Sequence, residues 1–323
     1  MILDLERNTI IRYNTEMSLV NELLVPYPFL HRKYAKAYRI YENYIMNFPL
    51  HVYYLQERMK NNTKKTILCY PEMPNYSHTL EQVCRFSNFT ITNKPQKVDA
   101  VVHFEDTTYR KYDAVLSKLN KKYRVINYRC TDISKENVDK VHKKVFGYGV
   151  SINPQTYKGK YVKKGNLNSL HNGVILDHPE KPQKGFVYQA LINTESNGEL
   201  IEARFPIFGQ NIPFVYLKHR PLDNMFGSKN NRIEVLHPEE VVSKSEYKKI
   251  LTFCQEIGLD CGELDTLRDN KTKRLYIIDV NNTPTSPPYQ ISYTVYKRCL
   301  QMMSDAFKEA FLFTYSLSNP TLC

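Results

Sequence analysis

The chain has 323 residues, a formal charge of +12, and 42% hydrophobic against 24% charged residues. That hydrophobic share excludes a disordered chain, and the length holds two or three domains of ordinary size. No apolar run is long enough to span a bilayer, and charges break the N-terminal stretch MILDLERNTIIRYNTEM too early for a secretory signal, so a cytoplasmic protein is expected.

The seven cysteines (69, 84, 130, 254, 261, 299 and 323) are odd in number and scattered, with no CxxC pair and no histidine at zinc-ligand spacing. They read as buried thiols of a reducing compartment. The basic residues run along the whole chain instead of gathering in one arm. The charge therefore gives either a binder of anions, phosphorylated small molecules included, or simply a basic surface, with no concentrated basic patch to ask for nucleic acid.

In chain order, residues 1–62 read as a helical, tyrosine-rich segment. Tyr34, Tyr38, Tyr41 and Ile45 form one helical stripe in it, a packing face. From 63 to 130 strands and helices alternate: KTILCYP, HTLEQVCRFS, FTITN, DAVVHF, YDAVLSKL and YRVINY. This is the pattern of a small parallel α/β domain. Ligands of such sheets bind at the carboxyl ends of the strands, which makes His103, Glu105, Asp106 and Arg129 candidate substrate contacts. A helix capped by Ser134 follows and is closed by glycines. EVVSKSEYKKILTFCQEIG reads as one amphipathic helix, and PYQISYTVYKRCLQMMSDAFKEAFLF as the closing one.

Two stretches carry the chemistry. Residues 261–284 read as a hairpin turning at Asp269-Asn270, with Asp265 on its first strand and Asp279 and Asn281 on its second. Asp279 and Asn281 are two apart and share a face that Asp265 can meet, so the three oxygens suit a hard cation such as Mg²⁺. Residues 159–176 read as a lysine-bearing strand, a small-polar loop and a second strand. Such a loop can fold over phosphates while Lys163 or its neighbour Lys164 neutralises their charge. Gly165 and Gly173 at the loop ends suit a lid, and His171 within it is a candidate phosphate contact.

Together these residues resemble a known superfamily. Lys163 ahead of a loop, the VYQALI strand, Glu202-x-Arg204, YLKHRP and GELD…YIIDVNNTP stand in the order seen in ATP-grasp enzymes, and the RimK and D-alanine–D-alanine ligase type looks closest. The resemblance spans Tyr128 to Pro288. It implies an α/β (α+β) fold with two α+β subdomains clasping a nucleotide, 131–192 bearing the lid and 193–323 binding metal and phosphate. The α/β substrate domain at 63–130 and the helical segment at 1–62 would precede them.

On this resemblance Lys163 contacts the ATP phosphates, with Lys164 its rival. Gln189, Ala190 and Leu191 form the hinge that reads adenine through the main chain. Glu202 bonds the ribose, and Lys218 shares the face of Arg220. Arg204 and Arg220 clamp the transferred phosphoryl group. Asp265, Asp279 and Asn281 bind one or two Mg²⁺, for which Mn²⁺ can substitute. The expected reaction activates a carboxylate as an acyl phosphate and joins it to an amine, releasing ADP and phosphate. The alternative is a kinase acting on a small-molecule or glycan hydroxyl, in keeping with Asp279 where ligases more often carry Glu. A nucleotide-binding module without turnover is the reading from a different class. The expected acceptor is an acidic small molecule, peptide or glycan; the oligomeric state stays open, a homodimer being what the resemblance implies.

Overall fold

The computed structural model describes residues 64–94, 97–170, 172–227, 229–288 and 290–313. The chain divides into two compact units, Met1–Met59 and Lys60–Cys323, and the described residues all belong to the second. The helical reading of 1–62, His171 and Cys323 lie outside them.

The alternating apolar runs of the first part fold as the spacing predicts. Strands β1 (Thr66–Pro71), β2 (Thr90–Thr92), β3 (Ala100–Phe104) and β4 (Val125–Ile126) form a parallel sheet in the order β2-β1-β3-β4. Helices α1 (Thr79–Phe86) and α2 (Ala114–Lys122) make the crossovers, and the Asp113 carboxylate caps α2 by accepting from the Leu116 N–H. β3 is buried along its whole length, as a strand covered on both faces must be.

At the end of β4, Asn127 turns the chain with φ of 61° and clasps a distant strand start. Its Oδ1 accepts from the Asp260 and Cys261 N–H groups, both at 2.8 Å, and its Nδ2 donates to the Cys261 carbonyl at 2.6 Å. Its own N–H donates to Asp260 Oδ2 at 2.8 Å. Asparagine is the residue type that tolerates the left-handed region and can satisfy such a clasp from a short side chain.

Helix α3 (Lys135–Phe146) begins at the Ser134 cap and ends at Gly147, whose φ of 86° closes it in the left-handed conformation. Two antiparallel sheets follow. The smaller has the order β6-β5-β7, from β5 (Tyr161–Gly165), β6 (Val174–Leu176) and β7 (Phe186–Ala190). The larger runs β11-β10-β9-β12-β13, with the short β8 (Glu195–Ser196) on β9. Its members are β9 (Glu199–Phe208), β10 (Val215–Pro221), β11 (Arg232–Leu236), β12 (Cys261–Arg268) and β13 (Leu275–Asn281). Mixed α/β architecture with a small parallel sheet ahead of two antiparallel ones is what the resemblance implies.

The large sheet has one apolar and one polar face. Ala203, Phe205, Ile207, Val215, Leu264, Ile277 and Val280 pack against Val138 and Phe146 of α3 and Ile250, Phe253 and Ile257 of α4 (Lys244–Ile257). The stretch expected as one helix from Glu240 breaks before α4. Ser243 caps a new helix, with Glu246 completing a capping box, because Ser-x-x-Glu offers the backbone a better start than a continued turn. The last helix, α5 (Tyr293–Lys308), is capped by Ser292. No helix among the described residues is long and apolar enough to cross a membrane. The described cysteines are free thiols and all but Cys261 are buried, which pushes the Cys130 thiol up to about 11.

His142 on α3 is fully buried and stacked on Phe146 at 4.3 Å, and its Nδ1 accepts from the Ile277 N–H at 3.5 Å. Burial pulls its pKa from 6.5 down to about 4. The unfolded chain therefore takes up the proton first as pH falls, and stability is lost from about pH 6.5 towards 4. A His142→Phe variant should show a shallower fall of the unfolding midpoint with acid across that window. An identical slope would contradict the assignment.

Candidate active site

The polar face of the large sheet gathers its side chains by strand register. Arg204 on β9 lies opposite Tyr216 on β10 and Asp265 on β12, and Lys218 lies opposite Glu202. On the other flank of β12, Glu263 pairs with Asn281 and Asp265 with Asp279. Simple alternation along LYIIDVN would place Asp279 with Leu275 and Ile277, inside the core. A β-bulge prevents this: Thr266 pairs with Ile277, so Ile278 is the extra residue, and Asp279 and Asn281 emerge on the polar face.

These groups form one ion network. Arg204 grips Asp265 in two-point fashion, Nε to Oδ1 at 2.7 Å and Nη2 to Oδ2 at 2.8 Å, with Nη1 3.4 Å from Glu263. Lys218 donates to Glu202 at 2.7 Å and to Asp265 at 3.2 Å, and Arg220 reaches Glu202 at 3.0 Å. Burial acts to raise the Asp265 carboxyl, but the Arg204 and Lys218 charges outweigh it and hold the group far below the usual carboxylate range. Glu263, 1% exposed, has neither carboxylate oxygen hydrogen-bonded, and burial pushes its pKa up against the pull of Arg204.

The small sheet supplies the opposing wall. Residues opposite one another across its strands point to the same side, so Val162, Lys164, Ile175 and Gln189 share one face and Lys163, Val174 and Tyr188 the other. Lys163, expected on the phosphates, lies on the face opposite to Lys164. Its ammonium pairs with Glu180 and sits over the Phe186 and Tyr188 rings, at 4.9 and 5.9 Å from their centroids. Lys164 is the lysine turned towards the polar face. No hydrogen bond or ion pair holds its ammonium among the described residues. Burial pulls its pKa down to about 8, with the Asp279 and Glu202 charges acting to raise it and Lys135 to lower it.

Gln189 and Ala190, expected in the hinge, close β7 and Leu191 follows them; the N–H groups of Ala190 and Leu191 are engaged. The Ala190 N–H donates to the Val150 carbonyl at 2.8 Å and that of Leu191 to Lys160 at 3.4 Å. Glu202, expected on the ribose, spends its carboxylate on Lys218 and Arg220. Of the expected metal ligands, Asp265 is held by Arg204 and Lys218. Asp279 keeps an accessible carboxylate, its side chain 28% exposed and 3.6 Å from Lys135, while Asn281 Oδ1 accepts from the Thr283 N–H at 3.1 Å. No group of three or more His, Cys, Asp or Glu among the described residues is arranged to hold a metal ion. Two oxygen donors nevertheless fit Mg²⁺, which commonly takes most of its shell from phosphate and water.

The parallel-sheet candidates divide. Asp106 reaches the site's edge, accepting from Thr283 Oγ1 at 2.9 Å. His103 is fully buried 3.6 Å from Glu105, and burial pulls it down to about 4, so it is a neutral core group. Arg129 turns to the Gln255 carbonyl on α4. His219 points to the opposite face of β10, among Glu199, Arg232 and Glu234, as its alternation with Arg220 predicts.

Two residues and one contact were not singled out from sequence. Glu263 could have been, since it stands two before Asp265 on the same strand. Lys135 and the tether of Arg220 to the 222–227 turn depend on long-range folding. Arg220 Nη1 donates to the Gly227 carbonyl at 2.9 Å. A cavity of about 670 Å³ opens between that turn and β6, lined by Val174, Ile175, Leu222, Met225 and Phe226. Gly173 is required there, because a Cβ would stand 2.6 Å from the Phe226 ring.

No protein-family model and no curated protein matches the sequence. Solved structures similar to this chain include a D-alanine–D-alanine ligase from Bacillus anthracis complexed with ATP, at 12% identity and TM-score 0.49, covering 78% of this chain and 97% of that one. The ATP-grasp ligase PsnB complexed with a phosphomimetic variant of a minimal precursor, Mg and ADP is similar at 10% identity and TM-score 0.45, over 76% and 98%. The macrocyclase MdnC bound with precursor peptide MdnA from Microcystis aeruginosa MRC is similar at 12% identity and TM-score 0.41, over 75% and 99%. At these identities and scores the likenesses assign no activity, and the chemistry has to come from the chain's own side chains.

Proposed function

We propose that the chain is an ATP-grasp-type ligase that uses Mg-ATP to convert a carboxylate to an acyl phosphate and then joins it to an amine, releasing ADP and phosphate. The observation that carries this reading is the unpaired ammonium of Lys164 on one sheet, turned towards Asp279 on the other beside two anchored arginines. Phosphoryl transfer asks for positioning and charge neutralisation rather than a protein nucleophile, and these groups supply both. Lys164 neutralises the nucleotide phosphates. Asp279 and Asn281 hold Mg²⁺, which when bound offsets the phosphate charge. Arg204 and Arg220 stabilise the oxyanion of the tetrahedral species; Asp265 and Glu202 hold them in place, so little reorganisation is needed. Adenine is assigned to the Gln189–Leu191 stretch. The β5–β6 loop excludes water from the acyl phosphate.

The test is thermal unfolding of the purified chain with ATP, with and without Mg²⁺, beside Asp279→Ala. At a ligand concentration one hundred times Kd, the stabilisation is expected to be about 2.7 kcal/mol, to require Mg²⁺ and to vanish in the variant. No shift with millimolar ATP or GTP would sink the reading. Free phosphate with pooled carboxylate and amine acceptors distinguishes ligation from a kinase reaction, which would give a phosphorylated product instead.

A further inference from the structure

Lys135 opens α3 directly after its cap and is only 8% exposed. Its N–H and that of Glu136 are helix-terminal donors with no partner inside the helix. Asn166, the first residue of the β5–β6 loop, takes both, with its carbonyl at 3.1 Å and its Oδ1 at 2.9 Å. The Lys135 side chain doubles back over the same helix end and donates to the Leu167 carbonyl at 3.1 Å. The same Nζ stands 3.6 Å from the Asp279 carboxylate. Farther along the loop, the Asn168 N–H donates to Thr108 Oγ1 at 2.9 Å. The lysine side chain thus adds one of the fastenings of the loop and leans on the carboxylate assigned to the metal.

A buried ammonium is stable only beside an anion. Here Asp279 is that anion, and Lys164 draws on the same carboxylate. A divalent cation on Asp279 would claim the carboxylate and repel the ammonium, leaving the Leu167 carbonyl as a neutral partner. The phosphates of a metal-bound nucleotide would restore an anion within reach.

We propose that Lys135 is a positioning residue that couples the occupancy of Asp279 to the fastening of the β5–β6 loop. The loop is held in the empty site, loosened by a divalent cation alone, and held again when the cation arrives with a nucleoside triphosphate. Only the third state rests on the nucleotide reading above; the first two need the metal alone.

The experiment is amide hydrogen exchange over 166–170 in the full chain, without additions, with millimolar Mg²⁺, and with Mg²⁺ plus a non-hydrolysable ATP analogue. In the wild type, Mg²⁺ alone should speed exchange roughly threefold or more, and the analogue should reverse it. Lys135→Met should exchange fast in all three states, and Lys135→Arg should restore the three-state pattern. Asp279→Asn, which keeps the lysine, should lose the response to Mg²⁺. Unchanged exchange on adding Mg²⁺ to the wild type, or a full metal response in Lys135→Met, overturns the coupling. A metal response that the analogue fails to reverse upholds the link to Asp279 and overturns the nucleotide reading instead.

Discussion

Arg204→Met is expected to lower the free energy of unfolding by about 3 kcal/mol, the low end for removing one partner of a buried ion pair, because the Arg204–Asp265 pair is half-buried while Glu263 is 1% exposed. The guanidinium makes both hydrogen bonds to Asp265 from a strand directly beside it, and it is the nearest cation to Glu263. Without it, Glu263 has no opposing charge within ion-pair distance, and Asp265 depends on Lys218 alone. Denaturant unfolding of the variant against Arg204→Lys separates charge from fork geometry. The lysine recovers the charge but not the two-point grip, so it should fall between wild type and methionine. A methionine variant within about 1 kcal/mol of wild type would show that the network is dispensable to the fold. The double change Arg204→Met with Asp265→Leu should be less harmful than the single one, because it leaves one fewer buried charge uncompensated.

Lys164→Met is expected to weaken nucleotide binding roughly 10- to 100-fold, the worth of one charge-assisted hydrogen bond of about 1.5–3 kcal/mol. Lys163→Met should change it by less than about threefold, since that ammonium is committed to Glu180 on the far face of the strand. Calorimetric or fluorescence titration of the two variants decides between neighbours. The pH dependence adds a second check. The Lys164 ammonium, brought down to about 8 by burial, is charged below that pH and neutral above it. Affinity for the nucleotide should therefore fall as pH rises through about 8, while Lys164→Arg should hold its affinity into more alkaline solution. Equal losses in both methionine variants, or a flat profile in the wild type, would return the phosphate contact to Lys163.

Much of the fold was legible because it is written locally. The apolar runs KTILCYP and DAVVHF, the Ser134 cap and the Asp269 turn each specify their element within a few residues. The faces of the site were less so. Alternation shows that Lys163 and Lys164 point opposite ways, but the aromatic wall that claims Lys163 comes from Phe186 and Tyr188, two dozen residues on, and no period in the sequence announces it. The bulge at Ile278 is of the same kind. It exists only in the pairing of two strands, yet it decides whether Asp279 meets solvent or core. Asp265 looked like a ligand because its type and spacing suit one; the cations that occupy it stand on β9 and β10. The break before Ser243 was the opposite case, a Ser-x-x-Glu box present in the sequence and overrun by the helical period around it.

The clasp made by Asn127 bears on how the molecule could open. Four hydrogen bonds from one residue weld the end of the parallel sheet to the strand that leads into Glu263 and Asp265. The bonds tie the parallel sheet to the strand that carries the anchored carboxylates. The small sheet is tied instead by the Ile152–Tyr188 and Ala190–Val150 backbone bonds and by the contacts of its loop. Under the proposed function, opening would carry Lys164 away from a surface held by the Asn127 bonds, and closure would return one charge to it.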